Sequence, residues 1–117
     1  MVAQHGVDRN PIDYKKYGET AVKKAGVSSS TRVLAPWFQT KDDHPAKGAP
    51  VWTNDAWKDG TGTLSSFAVM DDLLAQISDG RFPNLTRIAL AGHSAGGQFM
   101  QRYAALGKAA GAVSYVV

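Results

Sequence analysis

The chain has 117 residues, of which 44% are hydrophobic, and this composition suits one ordinary globular domain. Its 13 basic and 10 acidic residues are spread along the chain, so the net charge of +3 does not indicate nucleic-acid binding. The absence of cysteine excludes disulfides and thiolate zinc sites, and no apolar run approaches the roughly 20 residues of a membrane span.

The first predicted elements are a short strand and a helix. Residues 2–4 form the strand, which ends at a His-Gly pair. Asn10 then suits the N-cap of a helix, with Pro11 at its first position and Asp13 in its first turn, where a carboxylate favours the helix dipole. Gly26 ends this helix.

A second strand is predicted over residues 32–36, followed by a long polar stretch over residues 37–63 with little periodicity. A loop of that length within a compact unit is usually functional or part of a lid. Trp52 and Trp57 lie in it, and two interpretations are equally open. They form an apolar wall for a substrate, or they hold the loop to the body of the protein.

The second half of the chain predicts a helix that begins at Ser65 or Ser66, a strand over residues 85–91, another helix that ends at Gly107, and a strand over residues 111–117. Strands and helices therefore alternate, with about four strands and three helices in all. This order predicts an α/β fold whose parallel sheet has right-handed crossovers and flanking helices.

Residues 92–96 read Gly-His-Ser-Ala-Gly and lie between a predicted strand and a predicted helix. A nucleophilic serine on such a sharp turn requires strained backbone angles and almost no side chain two residues away on either side. Gly92 and Gly96 meet that requirement, so the motif predicts a nucleophile at Ser94. The alternative is that Ser94 only caps the following helix.

With this motif in place, the chain resembles the α/β-hydrolase superfamily, and within it an esterase-like branch of serine hydrolases. Four stretches carry the resemblance: residues 5–10 (HGVDRN), 35–38 (APWF), 65–69 (SSFAV) and 91–99 (AGHSAGGQF). The resemblance implies that residues 1–117 are the central part of a single domain, a partial α/β-hydrolase fold truncated at both ends that holds its third to sixth strands.

The resemblance also implies an oxyanion hole. The backbone N–H groups of Ala95 and Val7 are the expected donors, with Gly6 as the alternative to Val7. His5 and Gly6 would organise this loop, and His5 would not take the serine proton. His93 is expected to point away from the Ser94 hydroxyl and to pack against the protein.

Two further polar groups are candidates for a chemical role. Asp8 and Arg9 are expected to form a local ion pair, with a substrate carboxylate as the less favoured partner of Arg9. The run from Lys41 to His44 is expected to be a solvated loop, because adjacent residues rarely converge on one metal ion. We therefore expect neither a metal nor another cofactor.

The acid and the histidine of a catalytic triad normally follow the serine in this superfamily. Residues 95–117 contain no Asp, Glu or His, so this chain does not supply them in that order. We expect a serine hydrolase that acts on a small carboxylic ester or another acyl substrate. The alternative is a catalytically silent half-domain that is truncated, or that a partner completes through exposed sheet edges.

Overall fold

The structure is a computed structural model that describes residues 1–109 and 113–117. Its elements in chain order are the strand β1 (Val2–Gln4), helix α1 (Pro11–Lys24), a 3₁₀ turn (Lys41–Asp43), helix α2 (Ala56–Asp59), helix α3 (Ser66–Ile77), strand β2 (Ile88–Gly92), helix α4 (Ala95–Leu106) and strand β3 (Val113–Val116).

The three strands form one parallel sheet in the order β1-β2-β3. Ala3 of β1 lies opposite Ala91 of β2, and Leu90 of β2 lies opposite Tyr115 of β3. Parallel neighbours require crossover connections, which the helices between the strands provide. The predicted α/β class, a parallel sheet with flanking helices, is confirmed.

Two elements differ from the sequence prediction. The strand predicted over residues 32–36 is only a single bridge between Leu34 and Val2, in which the Ala3 N–H donates to the Leu34 carbonyl at 2.7 Å. Pro36 has no N–H to extend this ladder. The long loop also contains the one-turn helix α2, whose four residues are too few to show a helical period.

The final predicted strand is present over Val113–Val116, while residues 111 and 112 of that prediction lie outside the described part of the chain. Ser65 caps α3, because its hydroxyl accepts a hydrogen bond from the Phe67 N–H at 3.2 Å. Asn10 precedes α1, but its side-chain amide donates to Asp13 and does not cap the helix.

The hydrophobic core is rich in aromatic residues and includes side chains from α2, α3 and α4. The ring of Phe99 is central to it, stacked on Phe38 at 5.3 Å and in contact with Phe67 at 5.2 Å between centroids. Helix α1, in contrast, buries only Gly18.

Within the described residues, every helix is too short or too polar to cross a membrane.

Candidate active site

Ser94 lies on the turn between β2 and α4 with φ 57° and ψ −128°. A residue with a side chain rarely adopts a positive φ, and such strain collects at functional sites. Hydrogen bonds from the Gly96 N–H to the His93 carbonyl (2.9 Å) and from the Gln98 N–H to the Ser94 carbonyl (3.1 Å) hold the turn. The sharp turn that the motif predicts is therefore present.

The two motif glycines allow backbone segments to approach closely. A Cβ atom on Gly92 would lie 2.2 Å from the Gly96 carbonyl oxygen, and one on Gly96 would lie 2.6 Å from the carbonyl oxygens of Gln4 and His5. Backbone atoms cannot move aside as a flexible side chain can. The first turn of α4 therefore packs against the ends of β1 and β2 only because both positions lack a side chain.

The Ser94 side chain does not cap α4. Ser94 is exposed, and its hydroxyl makes no cap hydrogen bond and no hydrogen bond with any other described residue. The alternative in which Ser94 serves as a capping side chain is wrong. The strained residue instead presents a free hydroxyl at the start of a helix, where the positive end of the dipole favours developing negative charge.

The ring of His5, the residue that follows β1, is fully buried, and both of its nitrogens are engaged. Nε2 accepts a hydrogen bond from the Phe38 N–H at 3.0 Å, so the proton lies on Nδ1, which donates to the Gly6 carbonyl at 2.9 Å. Burial lowers the pKa of His5 to about 4, so its ring is neutral at pH 7. In this arrangement His5 has no free nitrogen to accept a proton from Ser94.

The same hydrogen bonds orient the peptide between Gly6 and Val7. The Gly6 carbonyl accepts from His5 Nδ1 at 2.9 Å and from the Arg9 N–H at 3.1 Å. The C=O and N–H of a trans peptide point in opposite directions, so the Val7 N–H faces away from these two donors. It makes no hydrogen bond to another residue that the structure describes.

A cavity of about 310 Å³ brings several predicted site residues together. Gly6, Val7 and Asp8 from the loop after β1 line it, together with His93 and Ser94 of the turn and with Asn10, Tyr14 and Tyr17 around the start of α1. Ala95 is buried and is not among the lining residues, although its N–H is one of those that a helix leaves without an internal partner.

His93 is placed differently from the expectation. It is exposed and lines the cavity beside Ser94, whereas the sequence predicts that it packs against the protein. Tyr14 and Tyr17 are site residues that the sequence analysis missed. Their spacing of three residues, on the helix that follows the His-Gly loop, is the signal that would have identified them.

Trp52 and Trp57 do not form a substrate wall at this site. Both are buried, and neither lines the cavity at Ser94. Trp52 donates from Nε1 to the Leu64 carbonyl at 2.7 Å, and the Trp57 ring packs on the His5 ring at a centroid distance of 4.7 Å. Their large apolar rings join the core, so they hold the long loop to the body of the protein.

Arg9 connects the His-Gly loop to the long loop and does not pair with Asp8. Its Nε donates to Asp43 at 2.6 Å, and its Nη1 donates to the Val7 carbonyl and to Asn54, each at 2.9 Å. The bond from Arg9 holds the pKa of Asp43 below its usual value. Asp43 also accepts from the Thr40 N–H at 2.7 Å, which caps the 3₁₀ turn of this run. Lys41, Asp42 and His44 are exposed, as expected of a solvated loop.

Comparison of the chain with protein-family models, with curated proteins and with solved structures finds no match.

Proposed function

We propose that this chain carries the nucleophile and the oxyanion loop of a serine hydrolase that acts on carboxylic esters, as its resemblance to the α/β-hydrolase superfamily implies. The observation that carries the proposal is the strained backbone of Ser94, with φ 57° and ψ −128°, combined with a hydroxyl that neither caps α4 nor bonds to another described residue. The strain serves no evident purpose in packing, whereas a nucleophile on a sharp strand-to-helix turn requires it.

In the proposed reaction, the Ser94 oxygen attacks the ester carbonyl while a base accepts its proton. The tetrahedral oxyanion is stabilised by the N–H groups of Val7 and Ala95, and the positive end of the α4 dipole adds to that effect. The C–O bond then breaks, and the alcohol leaves with the proton that the base returns. Water then attacks the acyl carbon while the base accepts one of its protons, the bond from that carbon to the Ser94 oxygen breaks, and the base returns the proton to Ser94 as the acid leaves.

Neither His5 nor His93 is the base in this proposal. His5 is held by two hydrogen bonds, and His93 lines the cavity without a hydrogen bond to the Ser94 hydroxyl. Residues 95–117 contain no Asp, Glu or His. In this proposal a histidine and an acid from outside residues 1–117, on the same polypeptide or on a partner, complete the site.

A catalytically silent half-domain is the second candidate. Its support is the apolar surface left uncovered on α1 and at β3, where Ile12 is 71% exposed and Val116 is 58% exposed. Such surfaces suit association with further protein. This candidate predicts that Ser94 is no more reactive than an ordinary surface serine.

Labelling with a fluorophosphonate separates the two candidates. We expect one adduct, located on Ser94 by peptide mapping, with faster labelling when free imidazole substitutes for the absent base. Ser94→Ala should abolish the adduct, whereas Ser30→Ala, which changes an exposed serine in a loop, should leave it unchanged. Equal labelling of the Ser94→Ala variant, or no labelling even with imidazole, would support the silent half-domain.

The same assay tests the Val7 N–H. Val7 follows Gly6 in a turn closed by the hydrogen bond from the Arg9 N–H to the Gly6 carbonyl, and proline suits that second turn position. Val7→Pro therefore removes the donor with little change to the turn. We expect labelling to slow about 100-fold, the usual effect of losing one oxyanion donor, while Val7→Ala labels at the wild-type rate.

A further inference from the structure

Two tyrosines make the cavity beside Ser94 partly aromatic. Tyr14 and Tyr17 lie one helical turn apart on α1, and their rings meet edge to face with centroids 5.7 Å apart. Tyr17 is 64% exposed, so much of its ring surface is open to the solvent. The electron-rich face of an aromatic ring attracts a cation placed over it, and open tyrosine rings are a common binding surface for ammonium groups.

Among the described lining residues, Asp8 is the only one of the Asp, Glu, Lys or Arg type, and it lies beside the two tyrosines and His93. Asp8 is exposed and contributes a carboxylate, and the described lining residues include no lysine or arginine. The nearest arginine in sequence, Arg9, directs its guanidinium to Asp43 and Asn54 instead. Burial, followed by the neighbouring Tyr17 and the charge of Asp8, raises the pKa of Tyr14, so Tyr14 stays a neutral phenol at pH 7.

This arrangement discriminates between ligands by charge. At the start of α4 the cavity favours negative charge, but an anionic group placed beside Asp8 would be repelled by its carboxylate, and the described lining residues include no lysine or arginine to offset that repulsion. A neutral ligand would gain only from contact with the rings. A compact cation would gain from both the rings and the carboxylate, and a cavity of about 310 Å³ has room for a small ammonium group next to an ester.

We infer that the substrate of this site is an ester that carries an ammonium group, bound by Tyr14, Tyr17 and Asp8 while the ester carbonyl lies at Ser94. This inference rests on the proposed function for the ester, and on the residues of the cavity wall for the cation. It names a substrate class and predicts that esters with a carboxylate or phosphate at the same position are poor substrates.

The test uses three small probes of similar shape: choline, its neutral isostere 3,3-dimethylbutan-1-ol, and the anion 3,3-dimethylbutanoate. Each is titrated into the chain of residues 1–117 and followed by NMR chemical shifts. We expect choline to bind about tenfold more tightly than the neutral alcohol, and the anion not to bind. Cross-relaxation between the trimethylammonium protons and the Tyr14 and Tyr17 ring protons should locate it.

Matched variants keep the test specific. Asp8→Asn and Tyr17→Leu change exposed residues of the wall and should reduce the preference for choline to about threefold or less. Asp42→Asn, which removes the same charge from an exposed residue outside the cavity, should leave the preference unchanged. Equal binding of choline and the neutral alcohol, or an equal loss in Asp42→Asn and Asp8→Asn, would overturn the inference.

The choline titration and the fluorophosphonate labelling can succeed or fail independently, because choline binding does not require a reactive serine. Choline preference without fluorophosphonate labelling would leave a cation-binding site and overturn the hydrolase. Labelling of Ser94 without choline preference would support the hydrolase and overturn the ammonium-bearing substrate.

Discussion

At the scale of single residues, the site depends on one feature each of Ser94, His5 and Val7. Ser94 has a positive φ, the buried ring of His5 is neutral, and the Val7 N–H lies without a bonded partner in the described structure. A strained or buried group is retained only where the surrounding structure holds it. These features can be measured without knowledge of the substrate.

The backbone strain at Ser94 can be measured through its effect on the free energy of unfolding. Ser94→Gly relieves the positive φ, whereas Ser94→Ala removes the hydroxyl and keeps the strain. We expect the free energy of unfolding of Ser94→Gly to exceed that of Ser94→Ala by about 1 kcal/mol, after allowance for the greater freedom of glycine in the unfolded chain. Urea denaturation provides the measurement. Equal stability of the two variants would mean that this backbone is not strained.

His5 makes stability depend on pH. Its pKa is about 4 in the folded protein and 6.5 when unfolded, so the unfolded chain binds more protons between these values. The folded state is therefore favoured in full above pH 6.5 and loses on the order of 3 kcal/mol as the pH falls to 4. Urea denaturation at pH 7 and pH 4.5 should show most of this loss.

The matched variants are His5→Gln and His44→Gln. His5→Gln keeps an acceptor for the Phe38 N–H but cannot be protonated, so its stability should fall less on acidification than that of the wild type. His44 is exposed, and His44→Gln should retain the wild-type pH dependence. An unchanged pH dependence in His5→Gln would contradict the assignment of the loss to His5.

At the scale of elements, the unit formed by β2, the turn and α4 is the part of the chain where sequence and structure agree most closely. The sharp turn and the helix lie where the pattern indicates, because glycine placement and helical periodicity are local signals. The strand is also present, but it begins at Ile88, three residues after its predicted start. The packing of α4 against β1 is not local, and it depends on what lies opposite Gly96.

Two adjacent glycines of α4 provide the test at this scale. A Cβ on Gly96 would lie 2.6 Å from two backbone carbonyl oxygens, whereas one on Gly97 would have its nearest contact at 3.4 Å. We expect Gly96→Ala to lower the free energy of unfolding by about 3 kcal/mol through overpacking. Gly97→Ala should raise it by about 0.5 kcal/mol, since alanine favours the helix. Comparable effects of both changes on urea denaturation would refute this packing.

The parts that the sequence did not predict depend on contacts distant along the chain. Nothing near Trp57 indicates that its ring packs on His5, and the link from Arg9 to Asp43 joins residues 34 positions apart. The strand predicted over residues 32–36 failed for a related reason. Its apolar run was correct, but Pro36 and the short partner β1 allow only one bridge at Leu34.

At the scale of the whole molecule, the described surface is unevenly covered. The side chains of the aromatic core between the sheet and helices α3 and α4 are buried. In contrast, α1 exposes Ile12 and Tyr17, and β3 exposes Val116. Hydrophobic periodicity shows which face of a helix or strand is apolar, but it does not show what covers that face. The sequence therefore could not distinguish these exposed residues from core residues. The outer edge of β3 has no neighbouring strand within the described chain.

An uncovered apolar edge predicts association. We expect the weight-average mass in sedimentation equilibrium to rise with protein concentration, and Val116→Lys to reduce the rise by placing a charge on the edge strand. Val27→Lys adds the same charge to an exposed valine outside the sheet and should have no such effect. A monomer at every concentration, or an equal effect of both lysines, would exclude association through β3.

The central claim, that Ser94 is an acyl-accepting nucleophile, is tested most directly by the acyl-enzyme itself. We would expose the chain to p-nitrophenyl acetate and map the acetylated peptide by mass spectrometry. Because no described histidine is bonded to the Ser94 hydroxyl, acylation and deacylation should both be slow, and on long exposure to this activated ester a single acetyl group should accumulate on Ser94. Acetylation confined to lysines, with Ser94 unmodified, would contradict the account.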